Sequence, residues 1–169
     1  MVRWQFKALD KESFLIIYIG FARPHLEYAI QAWSPYLRRD IDCLEKVQRR
    51  ATKLVGGFCK VPYEQRLKRL KLTSLEKRRQ REDLIEPYKI LTGKERIDPN
   101  CFIMLDKKHY SERGHELKLY TRRSRLELRK NFFSQRVVAH WNKLPESVVM
   151  AEAVNTFKNR LDRRNEWGI

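Results

Sequence analysis

Apolar side chains recur at helical spacing through residues 40–55, and no other stretch of the chain restricts the fold as strongly. They would form one stripe of a helix that begins near Asp40, a favourable N-cap residue, and ends before Gly56 and Gly57. A strand cannot place them on one face, because its side chains alternate from residue to residue. The stripe consists of Leu44, Val47, Ala51, Leu54 and Val55.

Similar spacing predicts further helices over residues 9–22, 24–33, 63–70, 73–93 and 152–164. The first of them is apolar enough that we expect it to be buried. Thr73 and Glu76 have the spacing of a capping box at the start of the fourth, and Pro87 should kink or split that helix. Residues 94–114 have the composition of a loop.

The C-terminal part of the sequence combines two kinds of pattern. Leucines alternate with charged residues over 117–119 and again over 126–128, which predicts two short extended segments paired as a hairpin. Phe133, Val137 and Trp141 then fall on one face of a short helix that ends at Pro145. We expect Trp141, like Trp33, to anchor a hydrophobic core rather than to stack on nucleic-acid bases.

These patterns predict a mainly α fold: a helical bundle, then a short extended or hairpin element, then two C-terminal helices. The composition agrees, because 42% of the residues are hydrophobic and glycine and proline number only six each. Enough apolar surface is therefore present to form a core.

The net charge of +16 narrows the range of partners. Lysine and arginine number 37 against 21 acidic residues. For solubility alone, a small domain needs a net charge of magnitude only roughly 2–8. Nucleic acid is the expected partner of such an excess, because neutralised phosphates release counterions. An anionic membrane surface is the alternative. Residues 118–130 alone hold six cations and one acid.

The sequence lacks the residue patterns of catalysis and of cofactor binding. It has no metal-ligand spacing of His and Cys, no glycine-rich phosphate loop and no paired aspartates suited to two-metal chemistry. We therefore expect no metal, no cofactor and no small-molecule substrate. Three widely spaced cysteines fit a reducing compartment, nuclear or cytoplasmic, and no apolar run is long enough to span a bilayer.

Several blocks of the chain resemble one family when they are taken in order. RPHLEYA begins at Arg23, PYEQRLKRLKLTSLEKRRQREDLIEPYKILTG at Pro62, FFSQRVVAHWNKLP at Phe132 and AVNTFKNRLD at Ala153. The sequence is similar to the C-terminal part of non-LTR, LINE-type and jockey-like retrotransposon reverse transcriptases, from about residue 6 to residue 162.

This resemblance implies a domain organisation and a role. Residues 1–93 would be the helical thumb, which packs against the template–primer duplex, and residues 94–169 the post-thumb segment. The family's metal-binding aspartates lie in an [FY]ADD motif upstream of this region, so the resemblance implies no polymerase activity for the chain. The sequence departs from the family pattern at two places in the thumb. YIGFARP stands in place of a block closer to YKSLVRP, and Pro87 lies within the long helix.

We therefore expect a non-catalytic fragment of an RNA-directed DNA polymerase that binds RNA or DNA nonspecifically through phosphate contacts. Two alternatives stay open: a part of an active reverse transcriptase whose palm domain is supplied elsewhere, and an inactive remnant or protein-interaction module. The partner would be nucleic acid, with a polymerase palm as a second partner and no membrane. The candidate phosphate contacts are Arg49, Arg50, Lys53, Arg78, Arg79, Arg122, Arg123 and Arg125.

Overall fold

The computed structural model describes residues 9–106 and 115–163, and it confirms the prediction of a mainly α fold. Within these residues no helix is both long and apolar enough to cross a membrane. The α-helices are α1 (Lys11–Ile17), α2 (Arg23–Glu27), α3 (Arg38–Ala51), α4 (Tyr63–Leu70), α5 (Leu75–Leu91), α6 (Glu127–Lys130), α7 (Phe133–Trp141), α8 (Glu146–Val149) and α9 (Val154–Asp162).

The described residues divide into two compact units. The N-terminal unit contains residues 9–29 and 35–79, and the C-terminal unit contains residues 30–34, 80–106 and 115–163. Helix α5 begins in the first unit and continues into the second. The family resemblance implies a different division, after residue 93, between a thumb and a post-thumb segment. That division stays a prediction.

Helix α1 begins at an N-cap: the carboxylate of Asp10 accepts a hydrogen bond from the backbone N–H of Ser13 at 2.8 Å. A π-helical turn, Tyr18–Ala22, continues α1 into α2. Phe14 and Tyr18 are buried and stack on each other. Ile16 and Phe21 are each 71% exposed, so the prediction that this whole segment is buried was wrong: only one side of it reaches the core.

The buried face of α3 differs from the predicted stripe. The helix begins at Arg38 rather than near Asp40, and Val47 of the predicted stripe is exposed. Glu45 and Gln48 are buried in its place, because their side chains find hydrogen-bond partners within the unit. The apolar cluster of this unit is small and consists of Leu9, Phe14, Tyr18, Val55 and Leu70.

Helix α5 runs without a break from Leu75 to Leu91, with Pro87 buried inside it. The helix is therefore not split near this proline, and the alternative, a kink, stays a prediction. The predicted capping box was wrong: Ser74 precedes the helix and its hydroxyl accepts from the N–H of Lys77, while Glu76 forms an exposed ion pair with Arg38. The helix ends before Gly93, which has φ of +66°.

The C-terminal unit has a large apolar core. Tyr88 stacks on Phe157 with ring centroids 4.3 Å apart, and Trp141 lies beside them with no exposed surface. The face formed by Phe133, Val137 and Trp141 is buried, which confirms the predicted packing helix. Trp33 is 41% exposed, however, so its predicted role as a core anchor was wrong.

The predicted hairpin is replaced by a different pairing. Leu119 forms an antiparallel bridge with Leu105, and the N–H of Tyr120 donates to the carbonyl of Met104 at 2.7 Å. The amide side chain of Asn142 bonds both backbone groups of Leu119 at 2.8 Å. These partners satisfy the backbone of Leu119, and residues 126–128 do not pair with it. Leu126 is instead the N-cap of the single-turn helix α6, which begins at Glu127. The second half of the predicted 94–114 loop, residues 107–114, lies outside the described residues.

The C-terminal end of the chain contains the two predicted helices, α7 and α9. A further helical turn, α8, lies between them and follows Pro145. The hydroxyl of Tyr88 donates to the carbonyl of Ala151, after α8, at 2.5 Å.

Candidate nucleic-acid interface

Ion pairing within each unit divides the basic side chains into two sets. One set is neutralised: in the C-terminal unit, Arg81 donates to both carboxylate oxygens of Asp162 at 2.6 and 2.8 Å. Arg136 bonds both oxygens of Asp83 at 2.8 Å in the same bidentate manner. Such side chains stabilise the fold and have little remaining capacity for a phosphate.

Two of the predicted phosphate contacts are instead engaged in contacts within the N-terminal unit. Arg78 forms a bidentate ion pair with Glu27 in the N-terminal unit. Arg79 is 5% exposed, and its guanidinium donates to the carbonyl of Leu26 at 2.6 Å. Both arginines therefore hold helix α2 against the start of α5. The ion pair of Arg78 and the burial of Arg79 remove them from the candidate interface.

The second set is a group of exposed cations in the N-terminal unit, which we call the basic surface. Residues 46–71 carry nine lysines and arginines and one acid, Glu64. Only Arg66 among the nine is buried, and among the described residues none of the other eight lies within ion-pair distance of a carboxylate. The basic surface consists of Lys46, Arg49, Arg50, Lys53, Lys60, Lys68, Arg69 and Lys71.

The buried Arg66 connects the parts of the chain that bear these cations. Its guanidinium donates to the carbonyl of Arg49 and to the hydroxyl of Thr52, each at 2.8 Å, so helix α4 is tied to the end of α3. The guanidinium of Arg49 lies 5.0 Å from the centre of the Tyr63 ring, and that of Arg66 lies 5.3 Å from it. The exposed cations are thus presented by a scaffold with fixed contacts.

A polar network beneath the basic surface fixes the ring of Tyr63. Its hydroxyl donates to the carboxylate of Glu45 and accepts from the side-chain amide of Gln48 at 2.9 Å. Burial, followed by the hydrogen bond to Glu45, raises the pKa of Tyr63 well above its usual value, so the phenol keeps its proton. Burial likewise raises the pKa of Tyr18, whose hydroxyl donates to Gln48 at 2.5 Å.

The remaining predicted contacts lie in the C-terminal unit. Arg122, Arg123 and Arg125 are exposed on the segment between the Leu119 bridge and helix α6. A terminal nitrogen of Arg122 lies 2.6 Å from the sulfur of Met104. We call residues 120–132 the Arg-rich strap.

The structure therefore keeps six of the eight predicted residues at the surface, three in each unit: Arg49, Arg50 and Lys53, and Arg122, Arg123 and Arg125. Sequence reasoning did not find the supporting roles of Tyr63 and Arg66. The YEQRLKRL stretch contains both, but its local spacing does not reveal that Arg66 points inward toward α3.

We also looked for metal-binding side chains and for paired cysteines in the part of the chain that the structure describes. No three His, Cys, Asp or Glu side chains there come together as a metal site. Cys43, Cys59 and Cys101 are exposed free thiols.

We compared the chain with protein-family models, with curated proteins and with solved structures, and none of the three comparisons gave a match.

Proposed function

We propose that this chain is a non-catalytic, sequence-nonspecific RNA- and DNA-binding segment, equivalent to the thumb and post-thumb region of a non-LTR retrotransposon reverse transcriptase. The basic surface carries the proposal: eight exposed cations without a carboxylate partner among the described residues. The resemblance of the sequence blocks supplies the polymerase context, and the proposed compartment is reducing, nuclear or cytoplasmic.

Phosphate contact is the binding mode that suits these residues. A cation that has no internal partner can replace the counterions condensed on a nucleic-acid backbone, and their release drives association. Such contacts fix the position of the protein but do not read the base sequence. We therefore expect duplexes of unrelated sequence to bind with similar affinity.

A salt series on the full chain tests the proposal. Fluorescence anisotropy would follow binding of a labelled RNA–DNA heteroduplex from low to physiological ionic strength. We expect log K to fall linearly with log salt, more steeply the more phosphates the protein neutralises. Undetectable binding at low salt, or affinity that is independent of salt, would show that the proposal is wrong.

Charge reversal locates the interface. The double variant Arg50→Glu and Lys53→Glu removes two cations of the basic surface, so the salt slope should decrease in magnitude by about 1 for each phosphate that is no longer neutralised. The matched control is Lys94→Glu with Arg96→Glu, two exposed cations outside the basic surface whose reversal changes the net charge equally. Equal weakening by both variants would mean that total charge, rather than this surface, governs binding.

A protein partner is a second candidate role, and exposed apolar side chains favour it. Ile16 and Phe21 are each 71% exposed on one helical segment of the N-terminal unit. Large apolar groups left in water in this way are typical of protein interfaces. We propose a polymerase palm as the partner that covers them.

Association with a purified palm domain of a jockey-like element tests this second role. Analytical ultracentrifugation should show a complex that weakens in the Ile16→Ser and Phe21→Ser double variant. The control variant Ile97→Ser and Leu126→Ser changes exposed apolar residues elsewhere and should leave the complex intact. Absence of a complex with the unaltered chain would remove the palm from the proposal.

A further inference from the structure

The Arg-rich strap is held at both of its ends and exposed between them. Before it, Leu119 is 1% exposed and is clamped by the side chain of Asn142. After it, Phe133 is buried, and Arg136 donates to the carbonyl of Asn131 at 3.1 Å. Between these anchors every residue of 120–132 is exposed except Ser124 and Asn131, which are half-buried.

Two kinds of side chain share this exposed segment. Five are cations, with Glu127 as the single acid, and four are large apolar groups that a folded chain ordinarily covers. Tyr120 is 50% exposed and Phe132 is 45% exposed. The cations are Arg122, Arg123, Arg125, Arg129 and Lys130, and the other two apolar residues are Leu126 and Leu128.

We infer that the Arg-rich strap is a binding site for single-stranded nucleic acid, in which bases stack on Tyr120 and Phe132 and phosphates contact Arg122, Arg123 and Arg125. This inference rests on the proposed nucleic-acid function and specifies the form of ligand that this part of the chain binds. Aromatic rings beside a positively charged track are the combination by which proteins hold unpaired strands, because every base presents a π face.

Phe132 already shows the geometry that such a site needs. The guanidinium of Arg129 lies 5.1 Å from the centre of its ring, in a cation–π contact that orients the ring. The exposed part of the ring remains available to a base. Tyr120 has its backbone N–H fixed by the Met104 carbonyl, so the start of the segment is also positioned by the fold.

Two other ligands, a nucleic-acid duplex and a membrane surface, suit the residues of the Arg-rich strap less well. The bases of a duplex are stacked on one another, so exposed aromatic rings gain little from it. A membrane-surface helix presents a broad apolar face, whereas the only helix in the Arg-rich strap is the single turn Glu127–Lys130. Arginine also outnumbers lysine by four to one among its cations, and the planar guanidinium both stacks and binds phosphate.

Binding of single-stranded oligonucleotides to the full chain tests the inference. The probes are DNA and RNA strands of about 20 nucleotides, longer than the roughly 4–16 that one single-strand module covers. In the double variant Tyr120→Ala and Phe132→Ala, affinity for these strands should fall at least about fivefold for each ring removed. Affinity for the RNA–DNA heteroduplex should change much less. Circular dichroism of each variant checks the fold.

Two further variants make the test specific. The control Phe102→Ala with Met150→Ala removes apolar side chains that are 51% and 54% exposed outside the Arg-rich strap, and it should leave single-strand affinity unchanged. Tyr120→Phe with Phe132→Tyr keeps both rings and should retain binding. These two results, together with weaker binding in the alanine variant, would support stacking.

The outcomes separate this inference from the proposed function. If the alanine variant binds single strands as well as the unaltered chain does, and salt-dependent duplex binding persists, the inference is wrong and the proposed function stands. If the unaltered chain binds neither ligand at low salt, the proposed function fails as well. If the alanine variant loses binding only to anionic lipid vesicles, the Arg-rich strap is a membrane contact and the inference is overturned.

Discussion

The two units of this chain are stabilised by different kinds of interior. In the C-terminal unit, Tyr88, Trp141 and Phe157 pack at the centre of an extensive apolar core. In the N-terminal unit, the apolar cluster is small and the buried faces of the helices are partly polar, as at Glu45 and Gln48. Helices of similar pattern in the sequence can thus be fixed either by non-directional burial or by directed hydrogen bonds.

Both polar atoms of the Gln48 side chain have hydrogen-bond partners in this interior. Its amide oxygen accepts from Tyr18, and its amide nitrogen donates to the hydroxyl of Tyr63 and to the carbonyl of Thr73, each of the latter at 2.9 Å. Glu45 accepts from the backbone N–H of Leu75 at 3.0 Å, where a carboxylate favours the start of helix α5. These bonds form in only one arrangement of the helices, because each needs a donor and an acceptor in line. An apolar contact of the same area would not require that arrangement.

Truncation of Trp141 should produce the largest loss of stability. Trp141→Ala leaves a cavity in the C-terminal core and should lower the free energy of unfolding by about 3–5 kcal/mol. Chemical denaturation followed by circular dichroism measures this loss. Trp33→Ala in the same unit is the control, because Trp33 is 41% exposed, and its effect should be much smaller. Equal losses would contradict the described difference in burial.

Removal of Glu45 tests the polar interior in the same assay. Glu45→Ala leaves the Tyr63 hydroxyl and the Leu75 N–H without their acceptor, and should cost about 1–3 kcal/mol of stability. Glu64→Ala removes an exposed acid from the same unit and should change stability by no more than about 0.5 kcal/mol. A Glu45 variant as stable as the Glu64 control would show that the network does not stabilise the unit.

The pH dependence of stability should show the effect of a buried histidine in the C-terminal unit. His115 is 2% exposed, its Nε2 lies 3.2 Å from the carbonyl oxygen of Trp141, and its Nδ1 has no partner among the described residues. Burial lowers the pKa of His115 below its ordinary value of 6.5. The unfolded chain therefore binds the proton first as the pH falls.

The sign of the effect follows from this difference. The contribution of His115 to stability is fully present above pH 6.5 and is lost as the pH falls from 6.5 through the lowered pKa of the folded state. Denaturation midpoints measured from pH 7.5 to 4.5 should decline less steeply in His115→Gln than in the unaltered chain. His25→Gln, at an exposed histidine of the N-terminal unit, is the control. Parallel declines in all three proteins would contradict the prediction.

The smallest effect is expected at the surface of the N-terminal unit. Arg38 forms ion pairs with Asp42 and Glu76, but its side chain is 65% exposed and solvent screens both pairs. Arg38→Gln should leave the denaturation midpoint unchanged within the error of the measurement. A clear destabilisation would show that surface ion pairs, as well as the buried network, hold this unit together.

Much of the C-terminal unit could be predicted from the sequence. Phe133, Val137 and Trp141 recur at helical spacing, and their shared face is buried as expected. The pattern sufficed here because apolar packing is periodic along the chain and does not depend on the identity of one partner. In the N-terminal unit the same reasoning placed Val47 inside. It did not predict the burial of Gln48, which depends on hydrogen bonds from Tyr18 and to Tyr63.

The sequence by itself determined the helical character of this protein and its large positive charge. Only the tertiary structure decided which cations are neutralised and which remain available to a polyanion. Arg78 meets Glu27 across 51 residues of sequence, and Arg81 meets Asp162 across 81. Local spacing carries no information about such pairs, because an ion pair depends on where two distant helices place their side chains. The sequence therefore indicated where cations cluster, and the folded chain showed which members of those clusters remain exposed.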